Sequence, residues 1–470
     1  MTLIEKTARK TISESGCARP VRRGLVLGLV CAAQSMVSVD IAIVNVALPS
    51  IQRDLHVGNG GAQWVVVAYG LLLGGFLLVG GRLTDLVGRR RMLLAGLTLF
   101  TGASLLAGLS QSLGLLVAAR GLQGLGGALV VPAALSLLAV TFREGRERNR
   151  ALGVFGAVVG AAGTLVVVAG GLIAGGPGWR WAFFINVPAG LALLAIVAVY
   201  LVADRSRDRS GRLDLAGAGT VTSGLLLFVY ALHHAATHGW TAASTLAWGG
   251  AAAVALAAFV VIETRAAVPL VPAAAVRNRT LLGANLTALF GFGAFFSFIF
   301  LGSLLMQQEF GYSPVRTGLA WLATTTTVFV TSTAAGRLAA AVSVRRMLIT
   351  GLALIAGGML WLTQISADAG YLAGLLTPFL LAGLGFGLCV PSLQIGALAG
   401  VTEAETGLAA GLIETMREIG GAAGVAAVST VLVAGTGLGG FHAAFAMTAV
   451  LAVAGILTAA TVFGRGSAVR

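Results

Sequence analysis

Gly81–Leu97, GRLTDLVGRRRMLLAGL, decides the fold, because the chain says it twice. Gly336–Leu352 reads GRLAAAVSVRRMLITGL, 255 residues further on, and ten of the seventeen positions match. The matches include Gly81 with Gly336, Arg90 with Arg345, Arg91 with Arg346 and Gly96 with Gly351. Each copy is a basic turn set between two long apolar segments. A repeat of this period is not a solenoid. It divides the chain into two related halves, each with one such turn between its second and third spans. Two charged residues break the match: Asp85 and Arg89 stand opposite Ala340 and Val344. Any charged function of the turn therefore belongs to the N-terminal half. A second repeat lies further in, where RGLQGLGGALVVPA (Arg120–Ala133) aligns with FLLAGLGFGLCVPS (Phe379–Ser392). Gly124, Gly126 and Pro132 coincide with Gly383, Gly385 and Pro391, while Arg120 faces Phe379.

Composition agrees with long apolar segments. Of 470 residues 57% are hydrophobic and 10% charged, with mean hydropathy +0.93. No soluble globular domain looks like this. Apolar runs of 20 or more residues recur from end to end, which reads as an all-α polytopic membrane protein. In hydrocarbon every backbone polar group must bond within its own segment, so the runs are helices. The 67 glycines then serve close helix packing. The spacing predicts fourteen spans between residues 24 and 463. Residues 1–23 form a tail, 24–203 a first six-helix bundle, 204–279 linkers with two inserted helices, 280–463 a second six-helix bundle, and 464–470 a second tail.

The net charge of +14 is sorted by loop, so it is not a nucleic-acid footprint. Of 31 Lys and Arg, only Arg53, Arg180 and Arg316 fall in the opposite loops, and Arg120 and Arg417 fall inside spans. That asymmetry puts both termini in the cytoplasm of a multi-pass protein of the plasma (inner) membrane. Residues 1–23 are basic and polar, and the apolar run after them lacks an Ala-x-Ala site, so it is expected to stay as the first span. Cys17, Cys31 and Cys389 are scattered and imply neither a disulfide framework nor a metal cluster.

Some chemistry is excluded. The only lysines, Lys6 and Lys10, lie in no Walker A motif, so an ion gradient or a partner must supply any pumping energy. No Ser/His/Asp or Cys/His set stands at membrane depth, so the chain does not read as an enzyme. Ionisable residues inside spans remain, and these are functional by default. Asp40 and Arg120 sit at matching depth, roughly 10–14 Å below the outer end by helix rise. They read as a coupling pair, or alternatively as a static pair that orders the N-terminal half. Glu414, Arg417 and Glu418 share one face of the thirteenth span. Arg417 neutralises one carboxylate and leaves the other as a proton site; a merely structural network near the cytoplasm is the alternative. Gly153, Gly156, Gly160 and Gly163 make a small-residue packing face on the fifth span. Phe292, Phe296 and Phe300, four residues apart on the ninth, line either a cavity or the lipid face. His233, His234 and His238 cluster outside without the carboxylate or Cys support that a metal site needs.

These residues resemble a known family, the major facilitator superfamily, and within it the fourteen-span drug:proton antiporters of the EmrB/QacA type. VDIAIVNVALP (Val39–Pro49) is similar to the first-span motif, GRLTDLVGRRR (Gly81–Arg91) to the signature loop and RGLQGLGGA (Arg120–Ala128) to the fourth-span motif. WRWAFFINVPAG (Trp179–Gly190), LDLAG (Leu213–Gly217), QQEFGYSPVRTG (Gln307–Gly318) and REIGGAAG (Arg417–Gly424) are similar to subfamily hallmarks. The resemblance implies alternating access between two bundles around a central substrate cavity, with a proton gradient as energy source and no cofactor. It implies proton coupling at Asp40 and Arg120; Glu414 and Glu418 stand where the family has Asn and Gln, a departure expected to add a second protonatable site. It also implies a switch made by Gly81, Asp85, Gly88, Arg89 and Arg90 acting with Arg417 on the thirteenth span. Asn45, Gln123 and Gln307, carried by these motifs, join the phenylalanines as expected cavity residues. One departure stands out: Val166 and Val167 occupy the place of the family's fifth-span Gly-Pro, ahead of Gly170 and Gly171. The expected function is proton-driven export of amphipathic, cationic or aromatic drugs or metabolites by a monomer that meets protons, lipid and a small molecule. A narrow-substrate uniporter or symporter of the same fold, and a non-transporting receptor or scaffold, are the alternatives.

Overall fold

Apolar runs interrupted by small residues leave the backbone one way to satisfy itself, and the runs fold as helices. The computed structural model describes residues 23–175, 178–201, 213–366 and 369–463; within these the side chains of 42, 45, 46, 59, 60, 161–175, 236, 237 and 314 are left undescribed. Fourteen helices of 15 residues or more appear among the described residues. They are α1 (Arg23–Leu55), α2 (Asn59–Val87), α3 (Arg89–Gly108), α4 (Leu113–Thr141), α5 (Arg146–Gly175), α6 (Asn186–Tyr200), α7 (Leu215–His238) and α8 (Ala243–Arg265). Then come α9 (Arg279–Leu304), α10 (Pro314–Leu338), α11 (Val344–Leu362), α12 (Leu376–Ala397), α13 (Thr406–Ala434) and α14 (Gly437–Thr461).

Among the described residues twelve helices are long and apolar enough to cross a membrane, against the fourteen spans expected from spacing. Of the two outside that count, α10 falls short by composition, while most of the side chains of α5, 161–175, lie outside the described residues. α10 carries Thr324–Thr327 in succession. The two helices pack against each other. The opening stretch, read as a basic turn, is almost all helix. Helix runs through Asp85 to Val87 and resumes at Arg89, so the turn is Gly88 alone, with φ +102°. Only glycine adopts that backbone readily.

The sequence repeat becomes a packing repeat. Within the first six helices α2 packs on α4, α3 on α4 and α6, and α1 on α5. Within the last six α10 packs on α12, α11 on α12 and α14, and α9 on α13. Repeated residues do the same work in both copies. Arg90 donates to the Ala198 carbonyl at the end of α6 at 2.9 Å, and its repeat mate Arg345 donates to the Ala460 carbonyl at the end of α14. Gly96 lies against the Gly126 carbonyl and Gly351 against the Gly385 carbonyl.

The broadest contacts between the sets are those of α2 with α13 and α5 with α10. The repeat maps one pair onto the other. Gly81 meets Gly407 and Gly411 on α13, while its mate Gly336 meets Asn149 and Gly153 on α5. The glycine face of α5 turns to this seam: a Cβ on Gly156 would sit 3.3 Å from Val390, and one on Gly160 2.5 Å from Val328. Gly163 lies on the same helix, where its surroundings fall outside the described residues. The inserted α7 packs on both α2 and α13, bridging the sets, and α8 packs on α7.

The α5–α10 seam yields a test. A Cβ on Gly153 would stand 2.8 Å from the Gly336 Cα, so the two backbones must part. Gly153→Val is expected to cost about 1–3 kcal/mol by overpacking and to lower the thermal denaturation temperature in detergent. Gly102→Val, with nothing within 4 Å of its Cβ, is the control. Equal melting of the two variants would refute the tight seam.

Candidate functional site

The site has two parts, a buried charge network and a clasp at the arginine-rich end of the bundle. The network begins with Asp40 on α1, 0% exposed, and Arg120 on α4, 1% exposed. Arg120 Nη1 donates to Asp40 Oδ2, and its Nε donates to the Val65 carbonyl at 3.0 Å. The guanidinium lies over the Tyr69 ring at 4.2 Å. The other carboxylate oxygen accepts from Gln123 Nε2 at 3.0 Å and from Asn186 Nδ2 at 2.8 Å. Gln123 is itself held by Ser104, 2.7 Å away, and accepts from Arg120 at 3.0 Å. One carboxylate thus ties α1 to α4 and α6, and through Gln123 to α3. Removing charges from water is affordable only with such complete hydrogen bonding.

The repeat mate of Arg120 shows the alternative. Phe379 stacks on Trp321 with centroids 4.6 Å apart and meets Phe298 edge-on at 5.3 Å. The C-terminal half fills with aromatic rings the place where the N-terminal half buries an ion pair.

A second charged group lies on α13. Arg417 reaches both neighbours, Glu414 Oε2 at 2.6 Å and Glu418 Oε1 at 2.9 Å. One positive charge faces two carboxylates. Phe292 packs under the Arg417 guanidinium at 5.7 Å, and Phe296 packs on Gly421 of the same helix. Glu418 also abuts Gly74 of α2 across the seam.

The clasp is built on the loop between α12 and α13. Asp85 accepts from the Gly407 amide at 2.7 Å and the Leu408 amide at 2.8 Å, the first free amides of α13. Arg89 donates to Ser136 at 3.0 Å, to Thr406 at 3.2 Å and to the Glu403 carbonyl. At the other end of the loop Arg148 of α5 donates to the Leu398 carbonyl, the last turn of α12, at 3.2 Å, while Glu144 holds it at 2.9 Å. An anion sits on a helix N-terminus and a cation on a helix C-terminus, each the sign the helix dipole favours.

The remaining expected residues fall elsewhere. Gln123 is sealed inside the Asp40 network. Gln307 is exposed in the wide turn Leu305–Glu309 beyond α9, and Phe300 is half-buried against the core. The side chain of Asn45 lies outside the described residues. Arg417 sits about 16 Å along α13 from its start, away from Asp85, while Arg90 braces α6 rather than the seam. His234 and His238 stack at 4.0 Å, and His234 contacts Thr245 at 2.9 Å. Among the described residues no three His, Cys, Asp or Glu converge on a metal site.

Sequence reading missed Arg148, Ser104 and Asn186. Arg148 is hidden in a run of charges, RERNR, and only its burial separates it from its neighbours. Asn186 lies within a quoted motif, where an amide inside an apolar helix was the available signal. Also missed is Asp54 at the opposite end, which accepts from Arg180 at 2.7 Å and Trp179 at 3.1 Å. Those hydrogen bonds, Arg180 first, hold its carboxyl below the ordinary aspartate range.

Residues 30–425 match the model of the Major Facilitator Superfamily. The chain is 38% identical over 404 residues to the puromycin resistance protein pur8 of Streptomyces alboniger, covering 85% of this chain and 80% of that one. It is 36% identical to the cephamycin export protein CmcT of Amycolatopsis lactamdurans, covering 82% and 79%. Among solved structures the human organic anion transporter MFSD10 (TETRAN) superposes with TM-score 0.69 at 16% identity, over 94% of this chain and 100% of that one.

The network predicts a non-additive pair. Arg120→Gln leaves Asp40 buried without its cation and is expected to cost about 3–5 kcal/mol. Adding Asp40→Asn should restore much of that loss, because the uncompensated charge is gone. Thermal denaturation in detergent measures both, and a single variant no less stable than the double would rule out the paired-charge account.

Proposed function

Because the chain belongs to the major facilitator superfamily, we propose that it is a proton-coupled antiporter that exports amphipathic, cationic or aromatic compounds by alternating access. The observation that carries this reading is the asymmetry at the repeated positions Arg120 and Phe379, the first paired with Asp40 and the second stacked among Phe298 and Trp321. Apolar packing stabilises a buried site as well as an ion pair does, often better. A charge kept where its mate is aromatic is kept for its chemistry. A carboxylate accepts from Arg120, Gln123 and Asn186 together; a protonated carboxyl gives up part of that capacity and donates instead. Proton gain or loss at Asp40 therefore changes how α1 is held to α4 and α6. Glu414 and Glu418, sharing one Arg417 beside Phe292, are the second acidic group and face the seam between the sets.

The arginine-rich end faces the cytoplasm in this reading, on the loop charge asymmetry. The structure then corresponds to the state closed on that side, with Asp85, Arg89 and Arg148 as the closure. The two bundles move as units, α5 and α10 stay within the bundle seam, and a single chain is the working unit without a cofactor. The names of the relatives, resistance and export of antibiotics, support outward transport. A membrane potential of about 150 mV supplies roughly 3.5 kcal/mol per charge, enough for a gradient of a few hundred-fold at one-to-one coupling. The unbroken α5 at Val166 and Val167 favours the uniporter reading as runner-up.

Ethidium efflux from a pump-deficient host tests coupling. Export by the native chain is expected to stop with a protonophore, and Asp40→Asn at matched expression should fall to the background of cells lacking the protein. Protonophore-insensitive export would instead support the uniporter. The closure is tested by thiol labelling of Thr415→Cys, buried on α13, in a background lacking Cys17, Cys31 and Cys389. Each charge on a helix end contributes about 1 kcal/mol, so Asp85→Asn and Arg148→Gln should each raise labelling from the arginine-rich side about fivefold. Unchanged labelling in both variants would remove the clasp from the gate.

A further inference from the structure

A cleft opens on α5 away from the Arg148 clasp, between the start of α1, the end of α4 and the first turns of α5. It encloses about 750 Å³, solvent included, and its walls include Leu27, Phe142 and Val154 with Arg146, Glu147 and Arg150 at the rim. The charges do not cancel. Glu147 is taken by Arg23 at 2.6 Å. Arg146 and Arg150 are exposed, one helical turn apart on one face, and neither has an ion-pair or hydrogen-bond partner among the described residues. Arg148 between them points the other way, into the α12 terminus.

The cleft is therefore cationic at its mouth and apolar in its depth. With the arginine-rich loops placed at the membrane surface, Val154, about 12 Å along α5 from its first residue, falls on the hydrocarbon side of the rim. A soluble anion would use the rim and leave the apolar wall empty. An anionic lipid uses both. The chain preceding Arg23 is a poor occupant, since residues 1–22 carry five Lys and Arg against two Glu and repel the rim.

We propose that this cleft binds an anionic phospholipid of the cytoplasmic leaflet, with its phosphate between Arg146 and Arg150 and its first acyl methylenes against Leu27, Phe142 and Val154. The choice of leaflet rests on the orientation proposed above; the site itself does not. Two arginines at an anionic surface supply roughly thirtyfold preference.

The full chain, purified and exposed to equal phosphatidylglycerol and phosphatidylcholine in mixed micelles, is examined by native mass spectrometry. The native protein should retain phosphatidylglycerol about thirtyfold over phosphatidylcholine. Arg146→Gln with Arg150→Gln should abolish the preference, and Arg146→Lys with Arg150→Lys should keep it. Arg277→Gln with Arg279→Gln, which removes the same charge from an exposed stretch of the same end, should leave it intact. Equal loss in the two glutamine pairs would mean diffuse attraction and no site. Retained preference in the first pair would overturn the site outright. Displacement of the lipid by millimolar glycerol 3-phosphate would overturn the lipid in favour of a soluble phosphate ester.

Discussion

The Asp85 carboxylate seated on the first amides of α13 is the contact to which the rest of the arginine-rich end is fitted. A carboxylate reaches two consecutive amides at 2.7 and 2.8 Å only if the two helices nearly touch. Gly81, Gly407 and Gly411 supply that approach, since backbone meets backbone where side chains would stand. Gly88 turns the chain tightly enough that Arg89, just past the end of the helix that carries Asp85, reaches Ser136 and Thr406. Arg148 holds the far end of the same loop. Contacts between charges and helix ends are individually modest, so the closure is stable as a set and separable one contact at a time.

The residues that the two copies share and those that they do not have different tasks. Arg90 and Arg345 each brace the last helix of their own half. Gly96 and Gly351 each let the third helix meet the fourth. Asp85 and Arg89, present in one copy only, reach across to the other half. The shared residues brace each half internally, and the unshared ones join one half to the other.

The same division separates the membrane-depth sites. Asp40 and Arg120 exist because Gln123, Asn186, Val65 and Tyr69 surround them, and the aromatic stack at Phe379 needs none of these. The acidic triplet at Glu414, Arg417 and Glu418 has no such enclosure and lies along the seam. One charged group is sealed within a bundle, and the other faces the surface along which the bundles meet.

The amino-acid order alone determined the class of structure, the twofold plan and the residues that carry charge at depth, because bilayer burial forces helices and makes every charge conspicuous. It also held the pairing of Asp40 with Arg120, since helix rise converts position into depth. It did not hold azimuth. Whether Gln123 faces a cavity or seals a network, and whether Arg148 or its neighbours Arg146 and Arg150 cross the seam, depends on rotations of about 100° per residue that hydropathy leaves open in helices apolar on all sides. Tertiary structure decided which faces meet, and with them which of several arginines reaches the end of α12.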